Sequence, residues 1–206
     1  MRIVGGTWRG RRLTAPAGRA TRPTADRVRE AIFDVLSSAP PPVTDTGAAT
    51  DDTVVDLWPS GGPLAGLAVL DLFAGSGALG LEALSRGAAW CTFVESAPPA
   101  LRALRANLAA LAPPPSARAV VAADYRRALK ADAGRARRYN LVLVDAPYAS
   151  YPAVEPELAG RLPGVLSRGA VVVVETARGQ AVDLALSELS VRLYGDTRVT
   201  FLQARS

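Results

Sequence analysis

The sequence predicts an α/β domain built on a doubly wound, mostly parallel β-sheet, and two observations support this fold class. From Leu67 onward, short apolar runs that are typical of buried strands alternate with helical segments. A glycine-rich stretch lies between the first of these strands and the first helix, which is where doubly wound folds bind ligands. The chain has 206 residues, enough for one such domain with a small appendage.

Apolar periodicity and turn residues predict the individual elements. The predicted strands of the sheet are 67–72, 90–95, 117–122, 139–144, 170–175, 189–194 and 198–203. The predicted helices are 25–36, 77–86, 98–111, 125–131 and 155–162. Segments 2–5 and 11–14 are predicted to pair as a small N-terminal β-hairpin. The last two strands are joined at Gly195 and Asp196, and we expect this pair to add an antiparallel strand to a seven-stranded sheet.

The composition divides the chain into three parts. Residues 1–36 contain the hairpin and a helix that Thr24 is predicted to cap at its N-terminus. Residues 37–66 are rich in proline, glycine and aspartate, and we expect a flexible linker or insertion there. We expect residues 67–206, which contain the glycine-rich stretch, to form the ligand-binding and catalytic domain.

Positive charge is concentrated at the N-terminal end. The whole chain has a net charge of +5, whereas residues 1–30 hold eight arginines against Asp26 and Glu30. A GC-rich genome would explain arginine in place of lysine, but it does not explain this clustering. A basic segment of this kind favours a polyanionic partner, and nucleic acid is the obvious candidate.

The scarcity of histidine and cysteine excludes several classes of catalytic and metal-binding site. The chain has no histidine, which excludes histidine-based triads, histidine general bases and histidine-ligated metals. Its single cysteine, Cys91, allows neither an internal disulfide nor a thiolate zinc site. The longest apolar runs are too short to span a bilayer, and the N-terminus does not resemble a signal peptide. We therefore expect a cytoplasmic protein with no metal and no membrane partner.

The first chemical signal is the glycine-rich stretch after the first strand. Gly75, Gly77 and Gly80 match G-x-G-x-x-G, and Glu95 follows 20 residues after Gly75, where a carboxylate can accept from both hydroxyls of a ribose. This pattern leaves two classes open, a nicotinamide or flavin enzyme and an S-adenosylmethionine enzyme. Asp71 favours the second class, because its carboxylate would repel a pyrophosphate but not a cofactor that carries a sulfonium and an ammonium.

The second signal is Asp145-Ala146-Pro147-Tyr148, just past the fourth strand. This position is the rim at which doubly wound sheets bind ligands. Asp145 and the carbonyl of Ala146 are two acceptors for the two hydrogens of an exocyclic NH2 group, and Tyr148 offers a flat face on which an extruded base can stack. Asp-x-Pro after a strand is also a common turn sequence. The motif therefore indicates a functional site only in combination with the glycine-rich stretch.

The chain resembles the RsmD-type family, the guanine-N2 methyltransferases of small-subunit ribosomal RNA. The resemblance rests on Asp145–Tyr148 and on four further stretches, which are 1–6 with 10–13, 21–33, 70–88 and 194–197. It covers nearly the whole chain except 37–66, and the Thr-Arg-Pro-Thr block at 21–24 is its most family-specific element. It implies a Rossmann-like class I methyltransferase fold and transfer of a methyl group from S-adenosylmethionine to the N2 amine of a guanine in 16S rRNA.

The resemblance also implies residue roles. The implied cofactor-binding residues are Arg22, Thr24, Asp71, Phe73, Gly75, Gly77, Glu95 and Asp124. The implied catalytic residues around the target guanine are Asp145, Ala146, Pro147 and Tyr148. The implied RNA-binding residues are Arg2, Arg9, Arg11, Arg12 and Arg19. We expect a monomer that acts on ribosomal RNA, either free or within an assembling small subunit.

The sequence departs from the family pattern in two places. The family usually has Asp-Pro-Pro-Tyr or Asp-Pro-Pro-Phe, and position 146 is alanine here. The acceptor is a backbone carbonyl, so alanine can supply it, with less rigidity than proline. The second departure is 37–66, which is longer than the usual connection.

Three other functions stay open. The first is an amino-methyltransferase for adenine N6 in DNA or RNA, or for protein glutamine, since such enzymes share both motifs. The second is a nicotinamide-dependent oxidoreductase, which would leave Asp71 and Asp145–Tyr148 without a role. The third is a catalytically inactive RNA-binding module, in which the replacement of the usual proline by Ala146 would reflect the loss of activity.

Overall fold

The structure is a computed structural model that describes residues 1–16, 26–38 and 64–204. Arg19, Arg22 and Thr24, and most of the predicted linker, lie outside the described residues.

The described residues form five α-helices and seven strands. The helices are α1 Asp26–Ser38, α2 Ala78–Ser85, α3 Pro98–Leu111, α4 Tyr125–Gly134 and α5 Tyr151–Arg161. The strands are β1 Ala68–Leu72, β2 Trp90–Glu95, β3 Arg118–Ala122, β4 Tyr139–Val144, β5 Leu166–Ala177, β6 Ser187–Tyr194 and β7 Thr197–Gln203.

The strands form one seven-stranded sheet in the order β3-β2-β1-β4-β5-β7-β6. The first five of these strands are parallel, and β7 is antiparallel to both β5 and β6. The predicted fold class is confirmed, including the antiparallel C-terminal pair. The strand order reverses between β1 and β4, so a crevice opens at their carboxyl ends.

Two elements begin four residues before their predicted start, and each has a local reason. Helix α5 begins at Tyr151, four residues before the predicted start, because Pro152 occupies the first turn, where no backbone N–H is needed. Strand β5 begins at Leu166, four residues before the predicted start, and its ladder with β4 shifts register at an irregularity that includes Gly169, whose φ is 67°. The irregularity interrupts the apolar pattern, so the sequence does not indicate the first part of the strand.

Two apolar clusters hold the two faces of the sheet. The first cluster includes Ile3 of the hairpin, Phe33 of α1 and Leu104 of α3. The second cluster includes Tyr139 of β4 and Tyr151 of α5. The N-terminal segment therefore shares a core with the sheet, while the division of the chain into three parts stays a prediction.

Three backbone hydrogen bonds join the two strands of the N-terminal hairpin. Arg2 and Arg12 form a single antiparallel bridge, and the amide of Ile3 donates to the carbonyl of Arg11 at 2.9 Å. Because an isolated two-stranded hairpin is marginally stable in water, most of its stability must come from the surface against which it packs.

A buried carboxylate on α2 anchors the hairpin. Glu82 is completely buried and accepts from the amides of Val4 and Gly5, at 2.8 Å each. It also pairs with Arg86 at 2.8 Å and lies 3.8 Å from the buried guanidinium of Arg29 on α1. A charge buried in this way is stable only with such partners, so the hairpin, α1 and α2 depend on one another.

A buried amide on α3 makes the second anchor. The side chain of Asn107 accepts from the amide of Thr14 at 2.7 Å and donates to the carbonyl of Thr14 at 2.9 Å. The same side chain donates to the carbonyl of Ser76 at 2.9 Å. Asn107 therefore ties the end of the hairpin directly to the glycine-rich stretch.

In the described ranges, no helix is long and apolar enough to cross a membrane.

We predict that Glu82→Gln lowers the free energy of unfolding by about 3 kcal/mol, because Arg29 and Arg86 then lose their buried counter-charge. Urea denaturation measures this loss. Glu157→Gln is the matched control, since Glu157 pairs with Arg161 at 2.8 Å on the surface and should cost less than about 1 kcal/mol. Equal losses in the two variants would show that Glu82 does not act as an anchor.

Candidate active site

A cavity of about 660 Å³ opens at the carboxyl ends of β1, β2 and β4. It is lined by predicted site residues from both sequence motifs, namely Asp71, Phe73, Gly75, Glu95, Asp124, Asp145, Ala146, Pro147 and Tyr148. The structure therefore brings the two motifs, which are some 70 residues apart in the chain, into one site. Its volume is in the range of ligand pockets.

The carboxylate of Glu95 holds the glycine-rich stretch against the end of β2. Its Oε2 accepts from the amide of Gly75 at 2.8 Å, and its Oε1 accepts from the amides of Ser96 and Ala97 at 2.7 Å each. Gly75 has a φ of 57°, in the left-handed region that favours glycine. A carboxylate has about four lone-pair sites, so Glu95 retains acceptor capacity for a ligand hydroxyl.

The three glycines of the pattern have different roles. Gly75 lines the cavity, whereas Gly77 does not, and a Cβ on Gly77 would collide with Leu104. A Cβ on Gly80 would lie 2.6 Å from Sγ of Cys91 on β2. Gly77 and Gly80 therefore allow α2 to pack closely against the neighbouring strand and helix, and Gly75 leaves room for a ligand.

Asp71 is the most deeply buried charged group of the cavity wall. Its side chain is 1% exposed, and its Oδ2 accepts from the amide of Gly80 at 2.9 Å. Burial raises the pKa of Asp71 to about 7, the nearby charge of Glu95 adds to this effect, and the bond from Gly80 opposes it. Near neutral pH this carboxyl is poised between its charged and uncharged forms, and a cationic ligand would favour the charged form.

Phe73 shapes the wall next to Asp71. Its φ is 59°, which is unusual for a bulky residue and typically marks a functional site. Its ring packs against Tyr125, with 4.9 Å between the ring centroids. Sequence reasoning missed Tyr125, although it directly follows Asp124 at the start of α4.

Asp124 caps the N-terminus of α4. Its Oδ1 accepts from the amide of Arg126 at 2.9 Å, and its Oδ2 lies 3.4 Å from the Arg126 guanidinium. Its side chain is 50% exposed at the edge of the cavity. Arg126, which also lines the cavity and stacks over Tyr125 at 4.9 Å, is a second residue that the sequence did not reveal.

The Asp145–Tyr148 loop leaves β4 beside the end of β1. The amide of Asp145 points at the carbonyl of Leu72, 3.5 Å away, and Ala146 is 1% exposed. The carbonyl of Pro147 accepts from the amide of Ser150 at 2.9 Å and from its hydroxyl at 2.8 Å. These bonds form a tight turn that leads into α5 and keeps the loop at the cavity.

The hydroxyl of Tyr148 reaches away from its own loop to two other strands. It donates to Oε1 of Glu175 at 2.9 Å and lies 2.9 Å from Oγ1 of Thr197. Burial raises the pKa of Tyr148, as do the charges of Glu175 and Asp145, while the bond with Thr197 lowers it. The phenol therefore stays protonated at neutral pH and cannot act as a general base. Sequence reasoning missed Glu175 and Thr197, although Thr197 belongs to the 194–197 stretch that it singled out.

The four described arginines of the hairpin are exposed, and they are Arg2, Arg9, Arg11 and Arg12. Two of them have partners, since Arg2 lies 3.8 Å from Asp26 and Arg11 donates to the carbonyl of Ala110 at 2.8 Å. The hairpin segment also reaches the site, because Met1 and Pro16 line the cavity.

Within residues 1–16, 26–38 and 64–204, no group of three or more His, Cys, Asp or Glu residues is arranged to hold a metal ion.

The sheet order and the cavity at the reversal of that order define a class I methyltransferase fold. The family model described as "Conserved hypothetical protein 95" matches residues 1–203. The chain is 38% identical over 148 residues to "Ribosomal RNA small subunit methyltransferase D" of Escherichia coli, and 38% identical over 148 residues to "Putative rRNA methyltransferase YlbH" of Bacillus subtilis. The chain belongs to this RsmD-type family.

The extent of these matches differs between sequence and structure. Each alignment spans 72% of this chain, 60% of the Escherichia coli protein and 67% of the Bacillus subtilis protein. The structure of a hypothetical protein from Thermus thermophilus is 29% identical with a TM-score of 0.76, and the match covers 99% of each chain. The structural match therefore extends over more of both chains than the sequence alignments do.

We predict that Asp71→Asn makes the ligand-free protein more stable than the wild type, by a margin that grows with pH. The pKa of folded Asp71, about 7, lies above the ordinary value of 3.8, so the wild type loses stability as pH rises from about 4 to about 7. Between pH 5 and pH 8 the margin should grow by about 3 kcal/mol, because the loss continues over about two pH units, at 1.36 kcal/mol for each unit.

Urea denaturation at both pH values measures this margin. Asp34→Asn, on the exposed side of α1, is the matched control for the same chemical change. A margin that stays constant from pH 5 to pH 8 would contradict the raised pKa.

Proposed function

We propose that this protein is an S-adenosylmethionine-dependent methyltransferase that modifies the N2 amine of a guanine in small-subunit ribosomal RNA. The observation that carries the proposal is the single cavity that joins Asp71 and Glu95 to the Asp145–Tyr148 loop. One end of the cavity suits a cationic nucleoside cofactor, and the other suits a flat base with an exocyclic amine.

The cofactor end of the cavity fits S-adenosylmethionine in charge and in hydrogen-bonding groups. Asp71 offers a buried carboxylate, Glu95 retains acceptor capacity for ribose hydroxyls, and Asp124 offers a half-exposed carboxylate for an amino group. The carboxylate of Asp71 beside the glycine-rich stretch would repel a pyrophosphate, which disfavours a nicotinamide cofactor. When bound, S-adenosylmethionine supplies an electrophilic methyl group.

The acceptor end prepares an amine for methylation. Asp145 and the carbonyl of Ala146 accept the two hydrogens of the exocyclic NH2 group, which draws its lone pair out of conjugation with the ring. This positioning places the nitrogen for attack, and the negative charge of Asp145 stabilises the positive charge that develops on it. The extra proton then leaves to Asp145 or to water, so no stronger base is required.

Ribosomal RNA is the proposed carrier of the target base. The relatives from Escherichia coli and Bacillus subtilis are both named as rRNA methyltransferases. The exposed arginines of the hairpin lie on the segment that borders the cavity, and arginine side chains bind phosphates without reading sequence. We propose a monomer that acts in the cytoplasm on free or assembling small-subunit RNA.

The acceptor loop is also compatible with adenine N6 or a glutamine amide, because each presents an NH2 group. The proposal is tested by isolating rRNA from cells with and without the gene and digesting it to nucleosides. Loss of one N2-methylguanine from small-subunit rRNA supports the proposal, and primer extension then maps its position. Loss of N6-methyladenine instead, or no change in any rRNA nucleoside, would overturn it.

We predict that Asp145→Ala reduces kcat on rRNA at least 1,000-fold, roughly the loss of one strong transition-state interaction of about 4 kcal/mol. The variant should bind S-adenosylhomocysteine almost as tightly as the wild type, because Asp145 lies at the acceptor end. Methyl incorporation from labelled cofactor and calorimetry measure the two quantities. Asp34→Ala, remote from the cavity, is the control and should keep full turnover, whereas undiminished turnover in Asp145→Ala would refute the site assignment.

A further inference from the structure

The ring of Tyr148 is fixed at both of its ends. At the backbone end, the carbonyl of Tyr148 accepts from the amide of Tyr151 in the turn that opens α5, at 3.3 Å. At the other end, its hydroxyl lies 2.9 Å from both Glu175 and Thr197. We call Glu175 and Thr197 the hydroxyl clamp.

The clamp is built from two strands that do not carry the acceptor loop. Glu175 lies near the end of β5, and Thr197 is the first residue of β7, where it pairs with Ala177 of β5. Glu175 is 6% exposed and Thr197 is 8% exposed. Because both groups lie on paired strands of the sheet, they form a rigid support for the phenol.

The hydrogen-bonding capacity of the three groups matches. A phenol donates one hydrogen bond and accepts others, so Tyr148 donates to the Glu175 carboxylate and accepts from the Thr197 hydroxyl. A donor bonded to a carboxylate makes a stronger hydrogen bond than a neutral pair does. The phenol is therefore held in one orientation rather than exchanging between partners.

We infer that Glu175 and Thr197 are positioning residues, which set the angle of the Tyr148 ring so that the target base stacks with its amine at Asp145. The inference rests on the proposed function, which identifies the stacked base as a guanine. It also gives a role to the turn at 194–197. Ala146 leaves the acceptor loop without the φ restraint of a proline, and the clamp restrains the same loop through the tip of Tyr148.

The first test separates the Thr197 hydroxyl from the shape of the side chain. Thr197→Val should lower kcat on small-subunit rRNA about fivefold, since one neutral hydrogen bond is lost, with a smaller change in KM. Thr197→Ser keeps the hydroxyl and should retain turnover. Thr200→Val makes the same chemical change in a buried threonine of β7 whose hydroxyl contacts Arg198, and should also retain turnover.

A loss of thermal stability shared by Thr197→Val and Thr200→Val, with equal kcat in both, would overturn the inference. Loss of turnover in Thr197→Ser would do the same, because that variant preserves the hydrogen bond.

The second test is a double-mutant cycle with Tyr148→Phe, which keeps the ring and removes the hydroxyl. If the clamp acts through this hydroxyl, Thr197→Val should have no further effect in the Tyr148→Phe background. If the two losses in kcat multiply instead, Thr197 acts by another route and the inference fails.

The third test does not depend on methylation. The chain has five tyrosines, so spectra of protein labelled with ¹³C-tyrosine are simple enough to assign Tyr148 by its Phe variant. The hydroxyl proton of Tyr148 should exchange slowly with water in the wild type and in Thr200→Val, and at least tenfold faster in Glu175→Ala, which removes the acceptor of this proton. Equal exchange in all three proteins would overturn the clamp, whereas failure of the wild type to methylate rRNA would overturn only the proposed function.

Discussion

The reversal of strand order between β1 and β4 is the constraint on which the rest of the site depends. Parallel strands deliver their carboxyl ends to the same edge of the sheet, and at the reversal the following helices diverge to opposite faces. Asp71 and Asp145 follow from this arrangement, since each lies at the end of one of these two strands. The proposed cofactor side and the proposed acceptor side therefore face each other because of the sheet topology.

Polar side chains then hold the loops and the hairpin, whose positions the sheet topology does not determine. Glu95 fastens the glycine-rich stretch to β2, Asn107 fastens it to the hairpin, and Glu82 fastens the hairpin to α2. Each of these side chains forms hydrogen bonds with backbone groups, and each links segments that are distant in the chain. The glycine-rich stretch is thus held by side chains that bond to its backbone, together with the glycines that its conformation and close packing require.

The sequence predicted those elements and residues that can be recognised from their neighbours in the chain. Asp71, Glu95 and Asp145 could be identified because each has a fixed position relative to a strand end. Glu175 and Thr197 could not, because their role arises only when β5 and β7 are brought beside the acceptor loop.

The errors in element boundaries have a similar origin. Helix α5 begins before its predicted start. Its early proline usually indicates a helix break, but in the first turn of a helix proline is favourable. Gly77 and Gly80 fit a ligand-binding pattern and also allow the close packing of α2, so the cofactor-binding role of Gly77 stays a prediction. Residues 17–25 and 39–63 lie outside the described residues, so the roles of Arg19, Arg22 and Thr24 stay predictions.

The anchoring of the hairpin also determines the order in which the chain folds during synthesis. Val4 is made 78 residues before Glu82, and Thr14 is made 93 residues before Asn107. At about 5–20 residues per second, the ribosome needs several seconds to add these partners. The hairpin is translated before α2 and α3 but can dock fully only after α3 has emerged, so it reaches its final position later than its place in the sequence suggests.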